Sequence, residues 1–307
     1  MEESLSTSPA ARRSSARSAA MADLPLPQRA LEELVASALA EDIAWGDLTT
    51  DALVPVGLAA VADVLVKSPG VLAGLPVLAA TFAAVDPATR VVCLVADGER
   101  VAAGQVVARV SGQARSLLSA ERVALNFLQR LSGIATATAR YVETVSGTKA
   151  VIIDTRKTTP GLRSLEKWAV RMGGGQNHRR NLSDGVLVKD NHLVAIAASG
   201  RTLAEALAAG RRRWPHTIRV EVEVDRLDQI PDALAAGADI ILLDNMPPAV
   251  LREAVNLIAG RALTEASGGV TLDSVRALAE AGVDLISVGA LTHSSRSLDI
   301  SLELRIG

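Results

Sequence analysis

Residues 218–290 read IRVEVEVDRLDQIPDALAAGADIILLDNMPPAVLREAVNLIAGRALTEASGGVTLDSVRALAEAGVDLISVGA. Four short apolar runs begin here at 218, 239, 262 and 284, a repeat of 21, 23 and 22 residues, and Ala/Leu-rich stretches with helical spacing separate them. Strands that are apolar on both faces and alternate with helices predict a parallel sheet. A compact strand–helix unit repeated in series predicts an α/β barrel. Two earlier runs, AVIID (150–154) and GVLVKD (185–190), extend the series to six, short of the eight of a full barrel. The competing fold, an open doubly wound sheet, lacks the G-x-G-x-x-G fingerprint after its first strand.

Upstream the periodicity changes. Leu31, Leu34, Val35, Ala38 and Leu39 make a helical stripe, and EDIAWGDLTTDALVP (41–55) has the polar chemistry of a loop. Residues 59–67 and 90–110 alternate apolar with polar and are broken at Asp97-Gly98, Ala103-Gly104 and Ser111-Gly112, which predicts short antiparallel strands and hairpins around a helix at Leu75–Val85. DGERVAAGQVVARV (97–110) also has the hairpin pattern of biotinyl carriers, without the lysine that would bear the cofactor. From Ser119 to Val145 the spacing is helical, with Ser119 placed as N-cap and Gly133 as an interruption. The N-terminal part is therefore mixed α+β with a modest sheet.

Composition narrows the function classes. With 49% hydrophobic residues and no apolar run of the ~18 residues a membrane span needs, a packed soluble core is expected. Aromatics at 2% leave no stacking platform for nucleic acid, and a net charge of −2 gives no backbone-binding field. Cys93 is the sole cysteine, which excludes an internal disulfide and suits a reducing cytoplasm. Residues 4–20, with six Ser, three Arg and no acid, read as a disordered tail, and Met21 is a candidate start.

Barrel enzymes carry their chemistry at the carboxyl ends of the strands. The ends here are ionic: Asp154, Thr155, Arg156 and Lys157 after the first run, Lys189 to His192 after the second, Asp244 and Asn245 after the fourth. Glu221 and Glu223 lie two apart and share one strand face. Unpaired carboxylates there would cost several kcal/mol, which a metal ion or basic partners would offset. Between Arg156 and Lys189 stand eight Lys/Arg and two acids, so an anion pocket is expected, with Arg163, Lys167, Arg171, Arg179 and Arg180 among the cations. Ser267-Gly268-Gly269 and Gly289-Ala290 end the last two strands, where backbone N–H groups can approach a phosphate. Together these call for a phosphorylated, multiply anionic ligand and a divalent cation such as Mg²⁺ on Glu223 and Asp244. No covalent nucleophile is evident.

DTRKTTPGLRSLEKWAVRMGGGQNHR, LVKDNH, VEVEVD, LLDN, EASGG and VGALTHS, with EDIAWGDLTT and SAERVALNFLQRLSGIATAT, resemble the quinolinate phosphoribosyltransferase family in register from about residue 30 to the end. The resemblance implies an α/β fold of the type II phosphoribosyltransferase kind, an N-terminal α/β sandwich plus an incomplete α/β barrel. The corresponding division is a tail at 1–22, the sandwich at 23–133 and the barrel at 134–291, with 292–307 packing back on the sandwich. It implies transfer of phosphoribose from phosphoribosyl pyrophosphate to quinolinate with decarboxylation, using Mg²⁺, in a homodimer, or an assembly of dimers up to a hexamer, whose active site is shared. Carried over residue by residue, Thr155, Arg156, His178, Arg179 and Lys189 would bind quinolinate, with Arg122 reaching in from a neighbouring subunit. Lys157 would lie by the pyrophosphate or the dicarboxylate. Glu223 and Asp244 would hold Mg²⁺ and ribose hydroxyls, and Ser267, Gly268, Gly269, Val288, Gly289 and Ala290 the 5′-phosphate. Glu223, Asp244, Lys157 and Lys189 would carry the catalysis. Two other readings compete: a molybdenum-transport-associated paralogue, which would relax the dicarboxylate cluster, and a non-catalytic phosphosugar-binding protein, which has no need for Arg156 and Lys189 together.

Overall fold

In the computed structural model, which describes residues 24–306, the six apolar runs become six parallel strands: Val151–Ile153 (β6), Val186–Val188 (β7), Val220–Val224 (β8), Ile240–Asp244 (β9), Leu263–Ser267 (β10) and Leu285–Ser287 (β11). Their spatial order is β6-β11-β10-β9-β8-β7. The first strand therefore lies beside the last, the neighbour relation of a closed barrel, and the ring is open between β6 and β7. On the free side of β6 the chain at Gln176 makes a parallel bridge to Ile153, so a loop segment takes part of the place of a strand. Cross-strand pairs Glu223↔Leu242↔Glu265 share one face, as do Asp244↔Ser267. The opposite face, Val220, Val222, Val224, Ile241, Leu243 and Ala266, is buried, as expected where helices cover a sheet.

The described residues fall into two units. One holds the chain through Thr136, Ser164–Gly173 and the C-terminal segment from Arg296; the other holds Ala137–Arg163 and Gly174–Ser295. In the first, an antiparallel sheet runs β12-β1-β5-β3, built from Ile300–Ile306 (β12), Ala59–Val66 (β1), Val106–Gln113 (β5) and Arg90–Cys93 (β3). Its buried alternating residues, among them Ala62, Val64, Ala108 and Val110, form one core with Leu78 and Phe82 of α3 (Leu75–Val85) and with Leu117, Leu125 and Leu128 of α4 (Ala114–Thr144). The two preceding helices are α1 (Gln28–Asp42) and α2 (Leu48–Leu53). The expected tail at residues 1–22 lies outside the described residues.

Four local expectations are corrected. The loop at 41–55 contains α2, capped by Asp47, whose Oδ1 accepts the Thr50 N–H at 3.0 Å. Ser119 is not an N-cap: α4 begins at Ala114, and the Ser119 hydroxyl donates to Asp47 Oδ2 at 3.0 Å. Gly133 does not interrupt α4. A Cβ there would collide with the Arg296 carbonyl oxygen, so the glycine serves the close passage of the returning chain. Residues 97–110 do not form a hairpin with themselves, because β4 (Arg100–Val101) pairs with β2 (Gly70–Val71), whereas β5 pairs with β1 and β3. Among the described residues no single helix is long and apolar enough to cross a membrane.

Candidate active site

The carboxyl end of β6 supplies the first group. Asp154 is fully buried and accepts the Asn177 side-chain amide at 2.7 Å and the His178 N–H at 2.9 Å, which ties the Gly-rich loop beside β6. Arg156 follows in a half-buried position with a buried Nε that has no hydrogen-bond partner. Thr155 Oγ1 accepts the Lys157 N–H at 3.0 Å and so shapes the turn that exposes Lys157. The Lys157 carbonyl accepts the Thr292 hydroxyl at 2.7 Å, and a Cβ on Gly289 would stand 3.2 Å from Lys157 Cδ. Lys157 thus meets the start of α11 (Ala290–His293), next to buried Val288 and to Gly289 and Ala290.

Arg179 is half-buried and donates Nη1–H to the Gly185 carbonyl at 3.0 Å. Burial, and then the like charge of Arg156, hold its guanidinium below its ordinary range, while Glu221 opposes them. Two guanidiniums close enough to repel form a place that an anion relieves. On β7's carboxyl side Lys189 begins α6 (Asp190–Ala198) and sets Nζ 3.3 Å from Glu223 Oε2. Asp244 ends β9, its Oδ2 accepting the Asn245 side-chain amide at 2.7 Å. Asn245, left-handed at φ 55°, donates its N–H to the Ser267 carbonyl at 2.9 Å. Gly268 has φ 93°, and any Cβ there would strike the Asn245 side chain. Only glycine lets this crossing form, with Gly269 exposed beyond it.

The expected anion pocket is smaller than the run of charge suggests. Lys167 is wholly buried in the first unit on α5 (Arg163–Met172), alongside buried Glu166, which pairs with Arg130 at 2.8 Å. Arg171 lies over the Trp168 ring, and Arg163 donates to the Thr158 hydroxyl and the Arg180 carbonyl. These cations have local structural partners. Arg180 is exposed on the loop, where its backbone N–H donates to Asp184 at 2.8 Å; Arg156, Lys157, Arg179 and Lys189 remain, all in the barrel unit. Arg122 belongs to the first unit, its side chain 58% exposed and 3.7 Å from Glu121 of its own helix.

Beneath the strand ends lies a layer that adds Glu265 to two residues already singled out, His178 and Glu221. His178, Glu221 and Glu265 bring ligand-type atoms within 4.8 Å of one another. Nε2 of His178 is 2.9 Å from Glu221 Oε2, and Nδ1 accepts the Arg179 N–H at 2.7 Å. Both ring nitrogens of His178 are engaged in these contacts, which fix the orientation of the ring. Glu265 was read as part of a strand. The signal was its two-residue spacing from Ser267, which puts both on the face of Glu223 and Asp244. His178, Glu221 and Glu265 border a cavity of about 390 Å³ that reaches Val186, Ile240, Leu263 and Leu285, residues at the amino ends of their strands.

The chain resembles known proteins over both units. The family model described as quinolinate phosphoribosyl transferase, N-terminal domain, matches residues 47–132, and the corresponding C-terminal domain model matches 134–303. The chain is 44% identical over 276 residues to the probable nicotinate-nucleotide pyrophosphorylase (carboxylating) of Bacillus subtilis, covering 90% of this chain and 94% of that one. It is 44% identical over 281 residues to the nicotinate-nucleotide pyrophosphorylase (carboxylating) of Mycobacterium leprae, covering 90% and 97%. Among solved structures, NadC from Streptococcus pyogenes superposes with a TM-score of 0.86 at 43% identity, covering 91% and 98%.

Proposed function

Because the chain belongs to the quinolinate phosphoribosyltransferase family, we propose that the strand-end cluster of its barrel is where it performs the family reaction. The protein transfers the phosphoribosyl group of phosphoribosyl pyrophosphate to quinolinate with loss of CO₂, giving nicotinate mononucleotide and pyrophosphate for NAD synthesis. The molybdenum-transport paralogue and the idle phosphosugar binder are not favoured. The observations that support this placement are the half-buried Arg156 with its unpartnered Nε, the half-buried Arg179 anchored on the Gly185 carbonyl, and Lys189 3.3 Å from Glu223.

Quinolinate is a dianion and its co-substrate carries several more negative charges, so bringing them together requires fixed cations. Arg156, Arg179 and Lys189 neutralise the two carboxylates, with Thr155 shaping the turn and His178 beside them. Arg122 completes the pocket from a second subunit, a role that suits a side chain held outward. Lys157, at Gly289, faces the phosphates. Ser267, Gly268, Gly269, Val288, Gly289 and Ala290 present backbone N–H groups to the 5′-phosphate. Glu223 and Asp244 are hard oxygen donors on neighbouring strands and share a face, a donor set that fits Mg²⁺. When bound, Mg²⁺ would offset charge on the departing pyrophosphate.

Displacement at the ribose carbon builds positive charge there, and a carboxylate of Glu223 or Asp244 nearby stabilises it. Loss of the 2-carboxylate as CO₂ then leaves a carbanion next to the quaternised ring nitrogen, which stabilises it without an organic cofactor until a proton from solvent forms the C–H bond of nicotinate mononucleotide. The exposed apolar side chains Trp45, Leu48, Leu53 and Val56 in the first unit offer a surface for the second copy. The test is direct. Purified protein with quinolinate, phosphoribosyl pyrophosphate and Mg²⁺ yields nicotinate mononucleotide, and nicotinate in place of quinolinate yields far less. Equal use of both acids would remove the dicarboxylate reading.

A further inference from the structure

Glu221 and Glu265 take no part in the reaction as assigned above, yet they are among the most buried ionisable side chains of the barrel unit, 4% and 1% exposed. They stand on β8 and β10, either side of β9. Glu221 Oε1 and both Glu265 oxygens are buried without hydrogen-bond partners. Two ionised carboxylates at this depth would each cost several kcal/mol. Two physical solutions are weighed: a metal ion on His178, Glu221 and Glu265, or a proton on Glu265.

The imidazole decides between them. Nδ1 of His178 accepts a backbone N–H from Arg179, so it carries no proton, and the ring's hydrogen is on Nε2, which donates to Glu221 at 2.9 Å. A metal-bound Nε2 would need its lone pair free and Nδ1–H donating outward, the reverse of what is found. A proton on Glu265 agrees with this ring orientation. Burial, and next the charge of Glu221, push the Glu265 carboxyl well above the ordinary glutamate range, against the opposing effect of the Ser287 hydroxyl. A protonated Glu265 can donate to Glu221 Oε1, leaving one negative charge that faces an N–H.

We propose that Glu221 and Glu265 are positioning residues for quinolinate recognition: the pair fixes His178 as its Nε2–H tautomer and, through Nδ1, holds the Arg179 backbone so that its guanidinium stands beside Arg156. The part that concerns quinolinate rests on Arg179 and Arg156 being its ligands, whereas the tautomer is independent of that reading. Two measurements on the full-length protein keep them distinguishable. The chain has four histidines, so the His178 ring nitrogens are assignable by ¹⁵N spectroscopy against H178N. The expected pattern is a neutral ring protonated at Nε2 and unchanged by EDTA or by added Zn²⁺. A ring protonated at Nδ1, a doubly protonated ring, or a shift on adding Zn²⁺ overturns the proposal and favours the metal.

In steady-state kinetics E221L and E265L raise the KM for quinolinate by ~10-fold or more while that for phosphoribosyl pyrophosphate stays within ~2-fold, the scale of one lost hydrogen bond to a charged group. E265Q retains a donor and E221Q an acceptor, so each recovers most of the loss. If E265Q is as damaging as E265L, Glu265 acts as an anion and the proton assigned to it is wrong. Equal rises in both KM values indicate a merely structural effect and refute positioning. Should the unaltered enzyme fail to turn over quinolinate, the functional reading falls, and the ring spectrum still decides the tautomer.

Discussion

Arg156 illustrates how a single residue acquires a role. Its guanidinium is half-buried with an unsatisfied Nε, and Arg179 presses on it with like charge. Removing it deletes a charge-assisted contact of ~3 kcal/mol in a partly desolvated site, so Arg156→Ala should lower kcat/KM for quinolinate by at least ~100-fold. Lys189→Ala should do the same and also strip Glu223 of its 3.3 Å partner. Turnover at unaltered rates in both variants would end the dicarboxylate assignment. Both residues were visible in the sequence because charge directly after an apolar run marks a strand end. Lys167 and Arg163 carry the same charge in the same stretch, but helix packing and local hydrogen bonds turn them to structural use. Side-chain direction within a helix or loop is set by neighbours distant in sequence, which the linear charge count cannot register.

Elements were largely readable from period, and their ends much less so. The six barrel strands and the helix at Leu75–Val85 follow the alternation and spacing of apolar residues. Ser119 and Gly133 have the identities of a cap and a breaker, but a hydroxyl can bond a distant Asp47 and a glycine can admit a crossing chain. Gly133→Ala should destabilise the first unit by ~2–3 kcal/mol, because backbone cannot yield as a side chain would. An unchanged thermal midpoint would contradict that packing. In the antiparallel sheet, Asp63 on the central β1 is bonded by Arg109 of β5 at 2.8 Å and by Arg305 of β12. Chiefly through the Arg109 hydrogen bond, the Asp63 carboxyl is held below its ordinary range. An acid with a depressed folded-state pKa contributes its full stability above the unfolded value of ~3.9 and loses it as pH falls through the folded one. Asp63→Asn should therefore cost ~1–2 kcal/mol at pH 7, limited by the half-exposed guanidiniums. The gap between variant and parent should narrow below pH 4 in thermal melts. A gap independent of pH would show that charge is not what Asp63 contributes.

For the whole molecule the sharpest expectation concerns copies of the chain. If Arg122 serves a neighbour's site, Arg122→Ala and Lys189→Ala subunits, each nearly inactive, should regain roughly a quarter of full activity after equal mixing and exchange, since half the dimers are hybrids with one intact site. No recovery after verified exchange would place Arg122 outside the site. Period and composition were enough for the barrel class, because burial on both faces of repeated strands restricts the architecture to few solutions. Motif order was enough for the family, since the strand-end residues recur in register along the chain. The buried layer of His178, Glu221 and Glu265 came from the fold alone: it joins a loop residue to two strands on either side of β9, and the proton that reconciles them depends on depth and on distances between side chains 43 and 44 residues apart in sequence. Desolvation and hydrogen-bond direction are properties of three-dimensional neighbourhoods, so no pattern along the chain could have supplied them.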